Sequence, residues 1–434
     1  MAAEPEHSIE REYAVALNLW GWLCLLGRAI AITVKLVGKL ATAIVGGKKR
    51  RNGHSLHKYI AYEGMRDYQY GFNAVGIQNL LPSTRWMASH FARSNRMPFA
   101  QLHLRDGTTA FRLGGPKTSS NKAGGSNSSS PPPSPSPPPG RSVVMFHGGG
   151  YMGPALGEHI QLACGFSNKL PEGATVYILQ YALVSETANH YPRQLQQATV
   201  LLDYLIHTES IPPANITLIG DSAGGHLAIS LLLHLVHPNP NVPALALKGQ
   251  RLAGAALISP WMITANRSEG LVQENEANDV LHAAALAYWA QNFLGLQKEE
   301  QEGERSPRVE PWSCPLTTPG HWWADLPVDD LFVTYGEDEV LRDNAAQLCS
   351  ALLLSQAKKK EGQAPRKVLA KGYAGEMHVH MVMNRLLRLN EPCKSEQDFI
   401  AWYKAQMAAP VPATPTASMA AAEPPAATPT PAVN

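Results

Sequence analysis

The sequence predicts an α/β protein whose central sheet is mostly parallel and is covered by helices on both faces. From residue 141 to residue 407, apolar segments of strand length alternate with segments that have the period of an amphipathic helix. Predicted strands occupy 142–146, 175–180, 216–220, 252–259, 330–335 and 367–371. Predicted helices occupy 192–207, 223–236, 341–356 and 395–407. Strands that are apolar throughout are typical of a parallel sheet buried on both faces, since an antiparallel sheet with one wet face would alternate.

The composition of the 434 residues excludes several classes of protein. A formal net charge of +2 is too small to indicate a nucleic-acid-binding protein. The five cysteines are widely scattered and form no Cys-x-x-Cys pair, so neither a disulfide framework nor a structural metal site is expected. No cofactor is predicted, and the sequence leaves the oligomeric state open.

Residues 1–53 predict a segment that associates with a membrane. The uncharged run from 13 to 27 is 15 residues long, shorter than the ~20 that a transmembrane helix needs. Arg28, Lys35 and Lys39 then fall on one stripe of an otherwise apolar helix, and four bases follow directly after it. This pattern is typical of an amphipathic helix at a membrane interface, or of a tilted span with snorkelling bases. Four glutamates before the apolar run argue against a signal peptide.

Residues 54–407 are predicted to form the folded domain. Segments 99–105 and 108–113 flank Asp106-Gly107, which predicts a β-hairpin. The segment 116–141 is rich in Ser, Gly, Asn and Pro and has too little apolar surface to offset the entropy of ordering it. It therefore predicts a disordered loop inserted between two strands rather than a border between domains.

Two further segments interrupt the alternation of strands and helices. Residues 262–323 combine helical and loop patterns, and we interpret them as a cap over the carboxyl edge of the sheet. Residues 408–434 are rich in Ala, Pro and Thr and predict a disordered tail. The chain is thus expected to contain a membrane-associated segment, one α/β domain with a cap, and a tail.

A candidate nucleophile, Ser222, lies in Gly-Asp-Ser-Ala-Gly at 220–224, between a buried strand and a helix. Such a serine stands on a sharp turn that only small residues, here Gly220 and Gly224, permit two positions before and after it. The helix that follows directs its N-terminus at the serine and stabilises developing negative charge. Chymotrypsin-like proteases carry the same residues, but those are all-β and usually disulfide-bonded, unlike this α/β chain.

A glycine-rich turn after another predicted strand indicates an oxyanion hole. His147 is followed by Gly148, Gly149 and Gly150. Glycines let backbone N–H groups approach a ligand closely, so the N–H groups of Gly148, Gly149 and Ala223 are expected to bind the oxyanion of a tetrahedral acyl intermediate. A merely structural turn is the alternative, which the nucleophile motif about 75 residues later disfavours.

Together these motifs resemble the hormone-sensitive-lipase-like family of α/β-hydrolases, and within it the fungal steryl acetyl hydrolase type. The resemblance spans about 142–407. Between the two motifs that family usually has Tyr-Arg-Leu-Ala-Pro-Glu, where this chain has Tyr-Ala-Leu-Val-Ser-Glu at 181–186, which indicates a divergent branch. The resemblance implies an α/β-hydrolase fold and a Ser-His-acid triad that hydrolyses carboxylic esters.

The resemblance also implies the other two members of the triad. The family pattern Gly-x-x-Asp-x-Leu-x-Asp aligns with 336–343 and puts Glu339 at the place of the catalytic aspartate. Asp338 is the alternative if the loop shifts by one residue. His378 aligns with the catalytic base and His380 with an aromatic position, which leaves His380 as a second candidate base. A metal site on the two histidines is not expected, because no nearby carboxylate or cysteine completes a ligand set.

The expected function is therefore that of a serine carboxylic ester hydrolase acting through an acyl-enzyme. Its expected substrates are acetyl or short-chain acyl esters of lipophilic alcohols such as sterols, and its expected surroundings are a membrane surface. Two alternatives stay open: a tailoring hydrolase of a fungal natural-product pathway, and a non-catalytic binding protein with a hydrolase fold. The resemblance implies an endoplasmic reticulum enzyme with a lumenal domain, whereas the basic run at 48–51 favours the cytosolic side.

Overall fold

The central sheet has the order β1-β2-β4-β3-β5-β6-β7-β8 in the computed structural model, which describes residues 12–13, 15–50, 52–115, 140–263, 268–296, 309–356 and 365–409. The strands are β1 (Phe99–His103), β2 (Thr109–Gly114), β3 (Ser142–Phe146), β4 (Thr175–Gln180), β5 (Ile216–Asp221), β6 (Gly254–Ile258), β7 (Asp330–Gly336) and β8 (Lys367–Tyr373). The hairpin of β1 and β2 is antiparallel, β2 pairs antiparallel with β4, and the remaining pairs are parallel. The predicted α/β class with a mostly parallel sheet is confirmed.

Helices pack on both faces of this sheet. In chain order they are α1 (Leu19–Arg50), α2 (Leu56–Gly71), α3 (Ala74–Leu80), α4 (Thr84–Ser94), α5 (Gly157–Ala163), α6 (Arg193–Asp203), α7 (Ala223–Val236), α8 (Ala283–Leu294), α9 (Trp322–Asp325), α10 (Arg342–Gln356), α11 (His380–Leu386) and α12 (Lys394–Ala408). The predicted strands agree with the observed strands to within two residues at either end. The predicted helix 192–207 ends differently, because a π-helical turn, Tyr204–Thr208, follows α6.

The alternation of side chains along each strand divides the interior into two apolar cores. Along β3, Val144 and Phe146 belong to one core, and Val143 and Met145 belong to the other. Successive side chains of a strand point to opposite faces, so a strand that is apolar at every position must be covered twice. This burial explains why the continuous apolar runs in the sequence form strands of a sheet sandwiched between helices.

The parallel strands bring four functional loops to one edge of the sheet. β3, β5, β7 and β8 all run in the same direction, and each ends shortly before a predicted site residue. The carboxyl ends of parallel strands lie together, so residues far apart in sequence meet there. This edge is therefore the place where a site can form.

Helix α1 is long and apolar enough to cross a membrane, and in the described part of the chain it alone satisfies both conditions. Little of it is buried against the rest of the protein. Its outward side carries large exposed side chains, namely Leu19, Trp20, Leu26, Ile30, Val34, Val37, Ile44 and Val45. Gly47 interrupts the helical backbone near its end. The helix thus presents an apolar face that the folded chain leaves uncovered.

The bases of α1 contact the second helix. Lys35 donates to Asp67 of α2 at 2.6 Å, and Lys39 donates to Glu63 and to Asp67, each at 2.6 Å. Lys35 and Lys39 therefore have partners within the protein, and the association of this helix with a membrane stays a prediction. Their charges attach α1 to α2, since a buried acid such as Asp67 requires a cationic partner.

The elements predicted from the sequence do not include the helices α2 to α5 or α11. Each of α2, α3 and α4 begins at a polar residue whose side chain accepts a hydrogen bond from the third residue of the helix. The acceptors are Ser55, Asn73 and Ser83, with distances of 3.2, 3.1 and 3.2 Å. Such N-caps satisfy backbone donors that have no partner within the helix. These caps were the available signal for the three helices.

Some expectations fall on residues outside the described ranges. They are 116–139 of the predicted disordered loop, 410–434 of the predicted tail, and 264–267 and 297–308 of the predicted cap. The division of the chain into an N-terminal segment, a domain with a cap, and a tail stays a prediction.

Candidate active site

Ser222 occupies a strained turn between β5 and α7. Its backbone has φ 51° and ψ −117°, a region that residues with a side chain rarely adopt. Three backbone hydrogen bonds hold the turn: Ser222 N–H donates to the carbonyl of Ile258 at 2.9 Å, and the Ser222 carbonyl accepts from Trp261 and His226 at 3.0 Å. The surrounding structure thus stabilises a conformation in which the hydroxyl stands clear of the backbone.

Gly220 and Gly224 permit this turn through close backbone approach. A Cβ on Gly220 would overlap the backbone of Gly224, and a Cβ on Gly224 would overlap the carbonyl of Phe146 at the end of β3. The requirement for glycine at both positions is therefore steric. The absence of a side chain at Gly224 lets the serine turn pack directly against the end of β3.

The structure brings Ser222, His378 and Glu339 into one hydrogen-bonded line. His378 Nδ1–H donates to Glu339 Oε2 at 3.2 Å, which leaves Nε2 as the acceptor of the Ser222 hydroxyl at 2.9 Å. All three side chains are buried, and Glu339 is fully so. The arrangement matches the geometry by which a base accepts a proton from a nucleophile while an acid holds its tautomer.

Of the two candidate acids, Glu339 is the one that meets the histidine. Its carbonyl accepts a hydrogen bond from the Asn275 side chain at 2.9 Å, which anchors the loop after β7. Asp338 is half-buried, and its backbone N–H donates to the carbonyl of Glu376 at 3.1 Å. His380, the alternative base, is buried at the start of α11, whereas His378 is the histidine in contact with Ser222.

Burial and charge act in opposite directions on His378. Desolvation by itself lowers the pKa of the imidazole, but the hydrogen bond and negative charge of Glu339 outweigh it, with further contributions from Asp279 and Asp221. The net effect raises the pKa of His378 above its ordinary value. A raised pKa makes the imidazole a stronger base toward the Ser222 hydroxyl.

The glycine-rich turn departs from the prediction at one position. The N–H of Gly148 donates to Asp221 Oδ1 at 2.9 Å, so this donor holds the turn to the residue before the serine and does not point at an oxyanion. The second oxygen of Asp221, Oδ2, lies 3.3 Å from Nε2 of His159. The other ring nitrogen of His159, Nδ1, accepts the backbone N–H of Leu156 at 3.0 Å. Gly149 and Gly150 line the cleft in front of Ser222.

The remaining motif histidines have structural partners. His147 Nδ1–H donates to the carbonyl of Gly148 at 2.8 Å, and the ring stacks on Tyr181 with a centroid distance of 4.2 Å. Burial lowers the pKa of His147 to about 3, so this ring stays neutral. His226 accepts from the Tyr151 hydroxyl at 2.6 Å and donates to the carbonyl of Ser313 at 3.0 Å. Within the described residues no cluster of His, Cys, Asp or Glu has the arrangement of a metal site.

An apolar cleft opens in front of Ser222 and His378. It contains ≈ 780 Å³ of empty space, part of it open to solvent. That is the size of sites that bind small organic ligands. Much of its wall consists of apolar side chains from α2, from α3 and the residue after it, from the segment before α8 and from α8 itself, namely Met65, Ile77, Leu81, Val280, Leu281 and Trp289. Helices from the N-terminal region therefore help to form this cleft.

Asp279 is a buried acid of the site that no sequence motif marks. Its carboxylate accepts hydrogen bonds from the backbone N–H groups of Val340 at 2.7 Å and His378 at 3.0 Å. Burial raises the pKa of Asp279 to about 6, although these hydrogen bonds and the nearby His378 act in the opposite direction. The residue lies in the predicted cap, and only the folded chain brings it to the catalytic loops.

Comparison with known proteins agrees with this geometry. The sequence model of the steryl acetyl hydrolase family matches residues 132–409. An acetyl-hydrolase of Streptomyces hygroscopicus is 29% identical over 216 residues, covering 49% of this chain and 62% of that protein. Steryl acetyl hydrolase 1 of Saccharomyces cerevisiae is 24% identical over 216 residues, covering 46% of this chain and 45% of that protein. The chain thus spans about half the length of these curated relatives.

Solved structures share the fold at low sequence identity. An esterase of the bacterial hormone-sensitive lipase family has a TM-score of 0.52 and 18% identity, covering 82% of this chain and 98% of that one. A carboxyl esterase of the fungus Tuber melanosporum has a TM-score of 0.50 and 18% identity, covering 72% of this chain and 86% of that one. At such identity the likeness shows the α/β-hydrolase fold alone.

Proposed function

This chain belongs to the steryl acetyl hydrolase family, and from that premise we propose that it is a serine carboxylic ester hydrolase of acetyl or short-chain esters of lipophilic alcohols such as sterols. The observation that carries the proposal is the unbroken line from Ser222 through His378 to the fully buried Glu339. A hydrolase-fold protein that only binds ligands has no need of such a line, which disfavours the non-catalytic alternative.

The proposed first step forms an acyl-enzyme. Neutral His378 accepts the hydroxyl proton at Nε2 while Ser222 Oγ attacks the ester carbonyl carbon. Glu339 holds the proton on Nδ1 and stabilises the imidazolium that develops. The tetrahedral intermediate then expels the alcohol, whose oxygen takes the proton from Nε2 of His378. The serine is left as its acyl ester.

The second step reverses the roles with water as the nucleophile. His378 takes a proton from the water molecule, and the hydroxyl oxygen attacks the acyl carbon. The carboxylic acid leaves, and His378 returns its proton to Ser222. We assign the oxyanion hole to the backbone N–H groups of Gly149 and Ala223. Gly148 supports the turn instead, because its own N–H donates to Asp221.

The shape of the cleft supports a lipophilic alcohol and a small acyl group. The apolar side chains from α2 and α3 offer an extended surface to a large apolar substrate. Trp289 packs directly against Gly150 at the glycine-rich turn, so close that a Cβ on Gly150 would overlap the indole. The indole therefore forms a wall of the cleft beside the glycine-rich turn, which favours a small acyl group there.

A membrane location supports the same substrate class. The uncovered apolar face of α1 fits a lipid bilayer, and α1 is bound through its lysines to α2, which forms a wall of the cleft. A lipophilic ester dissolved in the membrane would reach the cleft without passing through water. We propose the endoplasmic reticulum as the membrane, to be tested by fractionation of cells that make the tagged full chain.

The test of the proposed function uses the full chain in detergent micelles. Steryl acetate, steryl palmitate and a water-soluble acetate are offered in turn, and the released acid is measured. We expect steryl acetate to react fastest, and Ser222→Ala to lower kcat/KM by at least ~10³-fold. Ser350→Ala, on the exposed face of α10, is the matched control with wild-type activity.

Each outcome bears on a different part of the proposal. An unchanged rate in Ser222→Ala would refute the assignment of the nucleophile. Hydrolysis of the water-soluble acetate but not of steryl acetate would refute the sterol substrate and leave the chemistry standing. A preference for palmitate would refute the short acyl group.

A further inference from the structure

One carboxylate connects the loop of the catalytic acid to the loop of the catalytic base. Asp279 Oδ2 accepts the N–H of Val340, the residue that follows Glu339, at 2.7 Å. Asp279 Oδ1 accepts the N–H of His378 itself at 3.0 Å, and that of Val280 at 2.7 Å. The side chain is completely buried. Both oxygens are thus used to fix backbone positions on two separate loops.

A buried carboxylate of this kind is costly unless it is fully hydrogen-bonded. Removing a charge from water costs several kcal/mol, which charge-assisted bonds to N–H groups offset. Burial raises the pKa of Asp279, and repulsion from the nearby negative charge of Glu339 raises it further. A neutral residue would avoid both the cost of desolvating a charge and the repulsion from Glu339. The three backbone N–H groups that the Asp279 carboxylate accepts therefore point to a role in holding the two loops.

Helix α2 holds Asp279 in place from the other side. The guanidinium of Arg66 donates to the carbonyl of Asp279 at 2.6 Å and to that of Glu276. Gln69 Nε2 donates to the carbonyl of Val280 at 2.8 Å. Two side chains of one helix therefore fix the backbone on either side of the carboxylate.

The same helix is attached to α1 through ion pairs. Glu63 pairs with Arg66 within α2 and with Lys39 of α1, and Lys39 also pairs with Asp67. Both helices precede residue 132, where the match to the family begins. A continuous set of hydrogen bonds and ion pairs therefore runs from the apolar helix to the backbone of His378.

We propose that Asp279 is a positioning residue that sets the separation of Glu339 and His378, and that α2 supports it through Arg66. The inference rests on the proposed function, since it assumes that His378 and Glu339 act as base and acid. It assigns the N-terminal helices a part in catalysis that the family match does not cover. Asp279 is not among the residues that line the cleft, and its carboxylate accepts hydrogen bonds from backbone N–H groups.

The charge of Asp279 also acts on the base. The titratable and charged groups around the carboxylate are His378 and Glu339 on the catalytic loops and Tyr62 and Arg66 on α2. The negative charge of Asp279 stabilises protonated His378 and so contributes to its raised pKa. Removing that charge is therefore expected to lower the pKa of His378, which a purely structural role would not do.

The first test is Asp279→Asn in the full chain. The amide oxygen can still accept the N–H groups on its own side, but the amide NH2 then faces an N–H group on the other side and displaces one loop. We expect kcat to fall by about 10²-fold, the usual consequence of a misplacement of about 1 Å, with KM nearly unchanged. The acid limb of kcat/KM should move to lower pH. Asp329→Asn, a half-exposed acid elsewhere, is the matched control.

The second test keeps Asp279 and removes its support. Arg66→Gln loses the charged donor to the Asp279 carbonyl, and we expect kcat to fall by about 10-fold with the same KM. The control is Arg85→Gln, an exposed arginine on α4. The thermal unfolding curve of every variant gives its folded fraction without using the reactivity of Ser222, so kcat is expressed per folded site.

Two results separate this inference from the proposed function. If wild-type protein hydrolyses the esters while both Asp279→Asn and Arg66→Gln keep wild-type kcat and pH profile, the positioning role is refuted and the proposed function stands. If wild-type protein hydrolyses none of the esters, the proposed function itself has failed. A fall in kcat per folded site with a shifted acid limb supports the inference.

Discussion

His378 Nε2 lies 2.9 Å from Ser222 Oγ, although 156 residues separate them in the sequence. The pair forms because β5 and β8 run in the same direction within one sheet, so that the loops after them share its carboxyl edge. The serine turn is stabilised from β6 and the histidine loop from Ser259, whose hydroxyl accepts the N–H of Val379 at 3.0 Å. The contact therefore depends on the packing of three strands.

Glu339 and its neighbour Asp338 are the two candidates for the catalytic acid, and one substitution at each position tests which of them acts. Glu339→Gln removes the charge that faces His378 Nδ1 and can present an NH2 donor to it, whereas Asp338→Asn changes a half-buried side chain. We expect kcat/KM to fall by about 10³-fold or more in Glu339→Gln and by less than about threefold in Asp338→Asn. Initial rates on a soluble acetate measure both. A larger loss in Asp338→Asn would contradict the assignment.

The raised pKa of His378 predicts the acid limb of the activity. The neutral imidazole is the active form, so activity falls when pH drops through the pKa of the free enzyme. Because the charge of Glu339 raises that pKa, the midpoint of kcat/KM should lie above the ordinary value of 6.5. Glu339→Gln should move the midpoint to lower pH as well as reduce the rate. A midpoint at or below 6.5 in the wild type would contradict this prediction.

The steric requirement at the serine turn predicts a loss of stability. A Cβ added in Gly224→Ala would overlap the carbonyl of Phe146, so the turn and β3 must separate. We expect destabilisation of about 3 kcal/mol, together with loss of activity. Thermal or denaturant unfolding measures it. Gly64→Ala is the control: the new methyl meets only ordinary contact with Leu36, and alanine favours the helix, so stability should stay equal or rise slightly.

The exposed face of α1 predicts binding to lipid. Val34 and Val37 are 67% and 59% exposed, and aspartate at both positions costs about 3 kcal/mol each within a bilayer. We expect the double variant to lose flotation with neutral lipid vesicles. The control places aspartates at Leu353 and Leu354, two exposed leucines on α10, where flotation should be unchanged. Flotation of the α1 variant like wild type would show that this face is not the lipid contact.

Much of the α/β framework could be predicted from local pattern. The strand β3 is buried at every position and apolar from Val143 to Phe146, because both faces of the sheet are covered, and such an apolar run can be recognised in the sequence alone. The helices α2 to α5 and α11 were missed, although polar caps at Ser55, Asn73 and Ser83 mark the starts of α2, α3 and α4. Local signals of that kind are weak without knowledge of what the helix packs on.

Within the site, the sequence alone determined the nucleophile turn and the glycine-rich turn, because both are short motifs whose steric requirement falls on adjacent residues. The resemblance to a family proposed Glu339 and His378 but left Asp338 and His380 as alternatives. Only the tertiary structure shows that Glu339 and His378 are the pair in contact, since a hydrogen bond between loops of different strands depends on distance in space. Only the fold showed that Gly148 N–H is taken by Asp221, that α1 lysines pair with α2, and that Asp279 joins the two catalytic loops. Each of these is a contact between segments far apart in the chain, and nothing in the local sequence encodes such a partner.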